Sequence, residues 1–330
     1  MNARTHWLMA VLGGLCLVLA CISLSVGPVS FSPGQFWRGL AGAPDSVEAI
    51  VLWQIRLPRT ELALIVGAVL GLAGAAMQGL FRNPLAEPGV IGVSGCAALG
   101  AVLAFYSGLA AIVPLALPLG GIIGAGLAGA VLVMLAGRRF DTVTLLLAGV
   151  ALTSLAGALT ALAINLSPNP FATVEAMNWL MGGLADRSSV HVLLAAPLAV
   201  LGAVAMMSQG RALDALSLGE DAAGSLGIDL ARAKTVLIGG AALAVGAVVS
   251  VSGSIAFVGL VVPHLLRPAI GHLPSRLLGV SALGGAALTL LADMAVRAIP
   301  TDSEVRLGVA TALLGAPFFL WLILRGRRAA

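Results

Sequence analysis

Apolar and polar positions alternate along this chain in long blocks, not residue by residue. Apolar runs of about twenty residues recur, the length an α-helix needs to cross some 30 Å of hydrocarbon. They predict ten spans: residues 7–26, 60–80, 89–106, 112–136, 142–164, 190–207, 235–251, 252–266, 277–294 and 307–324. The span over 252–266 is short and interrupted by Pro263, and the one over 112–136 stops at Arg138-Arg139. The first run is long enough to span and no clear small-residue cleavage site follows it, so it is expected to be retained as a helix. In the polar connector before residue 60, Ser32-Pro33-Gly34-Gln35 predicts a short helix with proline in its first turn, and residues 46–55 predict another. The segment between spans five and six is too polar to cross and predicts a short helix over 174–181. Thr301-Asp302-Ser303-Glu304 has the spacing of a capping box before the last span. An even number of spans puts both ends on one side. The expected fold is an all-α polytopic membrane protein with about ten transmembrane helices, formed by residues 1–330 as one domain; a β-barrel is excluded because the runs are continuous.

One stretch breaks this pattern. Between residues 209 and 234 stand Arg211, Asp214, Glu220, Asp221, Asp229, Arg232 and Lys234. Each charge at the centre of a bilayer would cost about 2.5 to 3.5 kcal/mol, so the segment must protrude into water. Ser217 and Glu220 have capping-box spacing, Asp221 suits the positive end of a helix dipole, and Gly227 suits a left-handed C-terminal cap. The helix between them, about eight residues long, can place Leu218, Ala222, Ala223 and Leu226 on one face. A helix so short is marginal in water and needs a surface to pack on, either the membrane domain itself or a soluble partner.

Composition sharpens the class. The chain is 59% hydrophobic and 10% charged, with 42 glycines and a mean hydropathy of +1.06; small residues let transmembrane helices approach closely. The net charge of +4 reflects basic residues held at a cytoplasmic face, not a nucleic-acid partner. With the N-terminus inside, Arg4, Arg82, Arg138, Arg139, Arg211, Arg232, Lys234, Arg267, Arg276, Arg325, Arg327 and Arg328 lie inside. Arg38, Arg56, Arg59, Arg187, Arg297 and Arg306 oppose the bias outside. The twofold inward excess follows the positive-inside rule. Cys16, Cys21 and Cys96 lie in apolar runs and are expected to be packing residues. His6, His191, His264 and His272 have no metal-ligand spacing, and Asp293 can pair with Arg297 at i, i+4. An internal repeat is only faintly visible, for example Gly92-Val93-Ser94 against Gly279-Val280-Ser281. No phosphate loop, nucleophile elbow or zinc-protease helix is present, so no catalytic residue and no metal site are expected.

Several strings carry a resemblance. They are Arg56-Leu57-Pro58-Arg59, Met77-Gln78-Gly79-Leu80-Phe81-Arg82-Asn83-Pro84-Leu85-Ala86-Glu87-Pro88-Gly89, Leu147-Ala148-Gly149-Val150 and Trp179-Leu180-Met181-Gly182. Further on come Leu216-Ser217-Leu218-Gly219-Glu220 with Leu226-Gly227, Ile255 to Arg267, and Gly315-Ala316-Pro317-Phe318. From about residue 50 to the C-terminus the chain resembles, in order, the iron-chelate and vitamin B12 permeases of ABC importers.

The resemblance implies a type II importer permease in a bacterial inner membrane, with both termini cytoplasmic. It would form a homodimer, or a heterodimer with a close paralogue, served by two cytoplasmic ATPase subunits and a soluble binding protein. ATP and magnesium would sit on the ATPase, and this chain would bind no cofactor. By resemblance, Leu216, Leu218, Gly219, Glu220, Ala222, Ala223, Leu226 and Gly227 form the ATPase-coupling segment. Asn83, Leu85 and Thr142 fall at cytoplasmic gate positions, with Val143 where the vitamin B12 permease has a second small polar residue. Arg56, Arg59 and Arg297 match outward positions that receive acidic residues of the binding protein; residue type alone would equally allow them to be paired internally. The substrate is expected to be an iron–siderophore, haem or cobalamin. The rivals are an ion-coupled secondary transporter, which would need acidic residues in mid-span where none of the 14 is expected, and an intramembrane enzyme, whose motifs are missing.

Overall fold

The computed structural model describes residues 3–27, 31–42, 46–113, 115–137, 142–167, 169–299 and 304–326. Its ten crossings are α1 (Ala3–Ser25), α4 (Leu57–Leu80), α5 (Val93–Tyr106), α7 (Ala116–Gly137), α8 (Thr142–Asn165), α10 (Ser189–Ser208), α13 (Leu230–Ser252), α14 (Val258–Ile270), α15 (Pro274–Ala298) and α16 (Leu307–Gly326). Between them lie the short helices α2 (Pro33–Ala41), α3 (Val47–Ile50), α6 (Leu109–Ile112), α9 (Pro170–Leu180), α11 (Gly210–Leu216) and α12 (Glu220–Ser225). Among the described residues there is no strand. Seven of the helical stretches are long and apolar enough to span; α5, α14 and the described apolar part of α16 are shorter. The capping box expected over 301–304 falls mainly outside the described residues, as do Arg138 and Arg139.

Burial sorts the helices into two rings. The apolar windows of α4 and α13 are each 78% buried and that of α15 is 67% buried, against 22% for α1, α8 and α10. The first three form the core, and the others turn leucine and valine outward, as at Leu193 and Val200. Glycine makes the core possible. A Cβ on Gly71 would collide with the carbonyl oxygen of Ser281, and one on Gly285 with that of Gly67. Backbones of α4 and α15 therefore touch with nothing between them, the close approach that drives helix association where lipid is as apolar as leucine.

Two local readings need correction. The helix predicted over 46–55 does not end before span two. Ser46 caps it, accepting from the Ala49 N–H at 3.2 Å, and a π-helical turn over Val51–Arg56 carries it unbroken into α4. There the Leu57 N–H reaches back to the Leu52 carbonyl, and the wider turn makes room for Pro58, whose ring would otherwise clash with the preceding turn. The helix at Pro33 forms as predicted, with Ser32 and Gln35 closing a reciprocal capping box.

The eighth crossing is displaced. Residues 253–257 are not helical; Gly253 and Phe257 have φ of +68° and +69°, and α14 starts only at Val258. Its thirteen residues rise about 20 Å, less than the bilayer core. It starts midway along α4, where Gly259 lies against Leu70 and Gly74. Pro263 does not interrupt it, because the carbonyl that proline frees, that of Gly259, faces the Gln78 amide at 3.4 Å. Gln78 in turn accepts from Arg267 at 2.7 Å. Irregular backbone at membrane depth is tolerated only where protein or a cavity lines it, and both conditions hold here.

The contact between α4 and α15 gives a direct expectation. Gly71→Ala should destabilise by about 1–3 kcal/mol through overpacking. Gly126→Ala, where an added Cβ meets nothing within 4 Å, should be neutral or stabilising, since alanine is favoured over glycine in helices by about 1 kcal/mol. Thermal unfolding in detergent, followed by circular dichroism, should separate the two; equal melting temperatures would contradict the packing described.

Candidate functional site

Polar side chains gather at three places. The first is the face carrying α11 and α12. Helix α11 runs to Leu216, and Ser217 belongs to its end, not to the start of α12: its hydroxyl donates to the Asp214 carbonyl at 2.6 Å. The expected Ser217–Glu220 capping box therefore does not form. Gly219, at φ +110°, is the residue preceding α12, which is six residues long. Gly227, at φ +79°, closes it as predicted, with the Ile228 N–H on the Ala223 carbonyl at 3.1 Å in the Schellman pattern. Leu216 and Ala223 are buried, whereas Leu218 and Leu226 are 69% and 63% exposed. The shared face expected for Leu218, Ala222, Ala223 and Leu226 is thus divided, because Leu218 precedes the helix.

Freed from capping, the Glu220 carboxylate reaches outside its own segment. It accepts from the Thr142 hydroxyl at the start of α8 at 2.5 Å and from Lys234 in α13 at 3.1 Å. The structure thereby joins a residue expected at the gate to one expected in the coupling segment. Arg82, Thr142, Val143, Leu218, Gly219 and Glu220 line an open cleft of about 530 Å³ here. Partial burial alone would raise the pKa of Glu220. The hydrogen bond from Thr142, that from Lys234, and the charges of Lys234 and Arg82 outweigh burial and leave it below the ordinary glutamate value. The segment is tied to the membrane core by Asp214, which accepts from the Ser275 backbone and hydroxyl at 2.8 and 2.6 Å. Of the Arg82–Leu85 stretch Arg82 lines this cleft, and Asn83 and Leu85 follow it in an exposed Asx-type turn, the Leu85 N–H on the Asn83 side chain at 2.9 Å.

The second place is the opposite face, which carries α9. Arg59 donates to Asp293 at 2.8 Å and to Glu304. Arg297 reaches Asp293 at 3.0 Å, the Val26 carbonyl at 2.8 Å and the Ser23 hydroxyl at 2.6 Å. Arg56 bonds the Leu24 and Ser25 carbonyls at 2.8 and 3.0 Å and lies over the Phe31 ring. All three guanidinium groups turn inward and tie α1, α4 and α15 together. Of the two arrangements open to these arginines, internal pairing is the one the structure shows.

The third place lies at mid-depth. The chain between α4 and α5 folds back past Pro84 and Pro88, and Pro88 packs against Gly259 near the start of α14, which carries Glu87 to the same place. Glu87, Ser94, Thr153, Ser154 and Ser254 line an open cleft of about 580 Å³. The expectation that no carboxylate would sit in mid-span is corrected here: a turn read as a membrane-boundary break carries Glu87 inward. The two prolines signalled the break; nothing in the sequence signalled its depth.

Comparison with known proteins agrees with this architecture. The sequence matches the FecCD transport family over residues 15–325. It is 42% identical over 315 residues to the vitamin B12 import system permease protein BtuC of Vibrio cholerae serotype O1, covering 94% of this chain and 92% of that protein. It is 40% identical over 329 residues to BtuC of Escherichia coli O9:H4, covering 98% and 96%. A solved structure described as a metal-chelate type ABC transporter in an inward-facing conformation superposes with a TM-score of 0.85 at 33% identity, covering 96% of this chain and 98% of that one. Ten crossings, a short water-exposed segment ending at Gly227 and a match along nearly the whole length lead to one assignment: this chain belongs to the FecCD transport family, with the architecture of an ABC importer permease.

Proposed function

We propose that this chain is the membrane-spanning subunit of an ATP-driven importer for vitamin B12 or a closely similar metal chelate. The observation that carries the reading is the Glu220 junction, where a water-exposed segment with two uncovered leucines is bonded to the end of a transmembrane helix. Leu218 and Leu226 are the surface a cytoplasmic ATPase would cover. Glu220 would pass its movement to Thr142 and α8, beside Asn83 and Leu85 at the inner gate. Among the chelates expected from sequence, cobalamin is favoured because the 40–42% identical relatives are vitamin B12 permeases. The α11–α12 face would be cytoplasmic, with both termini on that side in a bacterial inner membrane. Two permease chains would enclose the path, ATP and magnesium would be held by the ATPase pair, and a soluble binding protein would deliver substrate to the α9 face. The mid-depth cleft, mainly apolar with Glu87, Ser94, Thr153, Ser154 and Ser254 as its polar points, suits a wall of that path.

One observation favours an ion-coupled carrier: Glu87 places a carboxylate beside an open cleft at mid-depth, where coupling ions act in secondary transporters. Uptake of radiolabelled cyanocobalamin into proteoliposomes separates the two readings. With an ATPase subunit and loaded binding protein, uptake should require ATP and be indifferent to an imposed proton gradient. Gradient-driven uptake without ATP would overturn the importer reading. ATP-driven uptake of a ferric siderophore but not of cobalamin would overturn the substrate assignment alone.

Glu220 gives a sharper expectation. Its carboxylate is about a third exposed, so Glu220→Ala should cost less than about 1 kcal/mol in stability. It should lower substrate moved per ATP hydrolysed by about tenfold, equivalent to about 1.4 kcal/mol of lost coupling. Because the folded-state pKa is depressed, the junction's contribution is fully present above the unfolded glutamate value of about 4.3. It is lost only as pH falls through the lower folded value. Coupling should therefore be flat across neutral and mildly acidic pH. Parallel assays of uptake and ATPase in the wild type and variant test this, and an unchanged transport-to-hydrolysis ratio would refute it.

A further inference from the structure

Three basic side chains meet where α4 and α14 end and α15 begins. Arg82 follows α4, Arg267 stands in the last turn of α14, and His272 lies in the connection to α15. With Gln78 they line a cleft of about 160 Å³ that has Ala75 and Leu277 among its apolar walls. Among the described residues no acidic side chain lines it. The carboxylates of the neighbouring segment are already engaged, Asp214 with Ser275 and Glu220 with Thr142 and Lys234. The charge of Arg82 acts on Glu220, but among the described residues neither Arg82 nor His272 makes a hydrogen bond.

A basic residue in the last turn of a helix complements the helix dipole. That accounts for the place of Arg267 but not for its bonding. One terminal nitrogen donates to Gln78 at 2.7 Å, whereas Nε is buried with no partner. A buried donor without an acceptor is unfavourable, the more so on a charged group. Arg82 adopts φ of +48°, a left-handed conformation uncommon for a residue with a Cβ; such backbone persists where the surroundings impose it, often at binding sites. Three basic groups gathered around one partly dry cleft also repel one another. A bound anion relieves both the repulsion and the unfilled donor.

Depth and size decide the kind of anion. Ala75 stands in the last turns of α4 and Leu277 in the first turn of α15. The cleft therefore runs from the ends of crossing helices into their connections, the level at which hydrocarbon gives way to headgroups. Pockets for whole small molecules run to about 300–1,000 Å³, so this one excludes a nucleotide or a chelate and admits a single phosphate group. Leu273, next to His272, is 39% exposed and offers apolar surface beside the charge. Basic pockets between membrane helices hold acidic headgroups in this way. We propose that the Arg82–Arg267–His272 cleft binds the phosphate of an acidic phospholipid headgroup, with the Arg267 guanidinium donating to the phosphate oxygens and Arg82 and His272 balancing its charge. The leaflet, cytoplasmic, follows from the orientation proposed above; the site itself does not depend on what the chain transports.

The test titrates short-chain phosphatidylglycerol, short-chain phosphatidylcholine or inorganic phosphate into the full-length chain in neutral detergent. Binding is read by native mass spectrometry and by melting temperature. One phosphatidylglycerol per chain should bind and raise the melting temperature, and phosphatidylcholine should bind much more weakly. Arg267→Gln should weaken phosphatidylglycerol binding by about tenfold or more, the loss of a charge-assisted hydrogen bond. Because that variant also removes a partner of Gln78, Arg82→Gln with His272→Gln, at two exposed residues, serves as the second. It should weaken binding about tenfold with the lipid-free melting temperature unchanged. Arg211→Gln, at an exposed residue of the same face, should have no effect. Wild-type affinity in both variants would overturn the site, as would an equal loss in Arg211→Gln, which would mean diffuse charge attraction. Inorganic phosphate bound as tightly as phosphatidylglycerol would overturn the lipid assignment in favour of a free anion. Normal lipid affinity with loss of the co-purifying ATPase in the variants would overturn it in favour of a protein carboxylate.

Discussion

Asp293 lies wholly out of water between two guanidinium groups, and much of the fold's α9 face depends on that arrangement. A carboxylate moved alone from water to a protein interior carries an effective penalty of several kcal/mol. Here Arg59 and Arg297 answer it, and their remaining donors are taken up by Glu304, Ser23 and the Val26 carbonyl. The cluster fixes the ends of α1, α4 and α15 and the chain leading into α16. Removing one partner of a buried pair typically costs about 3–5 kcal/mol, so these ends are locked to one another. Below them, α4 and α15 meet backbone to backbone through Gly67, Gly71 and Gly285, which leaves no space for the helices to slide.

The opposite face is built on a weaker version of the same chemistry. Glu220 also holds several elements with one carboxylate, but it is partly exposed and its partners are a hydroxyl and an ammonium group. Exposed pairs contribute little to stability, about 0–1 kcal/mol. Such a junction transmits position without freezing it. A buried, doubly paired carboxylate stands on one face and a half-open one on the other, a contrast that suits the importer proposed above. At mid-depth α14 starts in the middle of the protein, and Gln78 answers the backbone carbonyls freed there.

The crossings were legible because a bilayer imposes a length and a composition on every span. Nine of the ten predicted spans coincide with helices to within a few residues; α14 differs because Gly253 and Phe257 adopt left-handed backbone that hydropathy does not register. The water-exposed segment and its Gly227 cap were legible for the same reason, since charge density and a glycine at a helix end are local signals. Ser217 was misassigned because its spacing to Glu220 fits a capping box equally well whether it opens α12 or closes α11. The partners of Arg56 and Arg59 lie on other helices, 31 and 32 residues away for Arg56 and 234 for Arg59 with Asp293, and residue type could not choose between an inward and an outward guanidinium. Glu87 escaped notice because a pair of prolines reports a break and not the direction in which the chain continues.

The central claim is that α12 and the Thr142 end of α8 move as one body. Val143, next to Thr142, is 61% exposed, and Ser225 is exposed at the far end of α12; both are open to spin labels and neither is a hydrogen-bonding member of the junction. Pulsed electron-spin distances in the reconstituted permease–ATPase complex, with and without ATP, measure the claim directly. The account predicts that the Val143–Ser225 distance within one chain stays constant, while the Val143–Val143 distance between the two chains changes when ATP binds. A Val143–Ser225 distance that shifts as much as the distance between chains would contradict it.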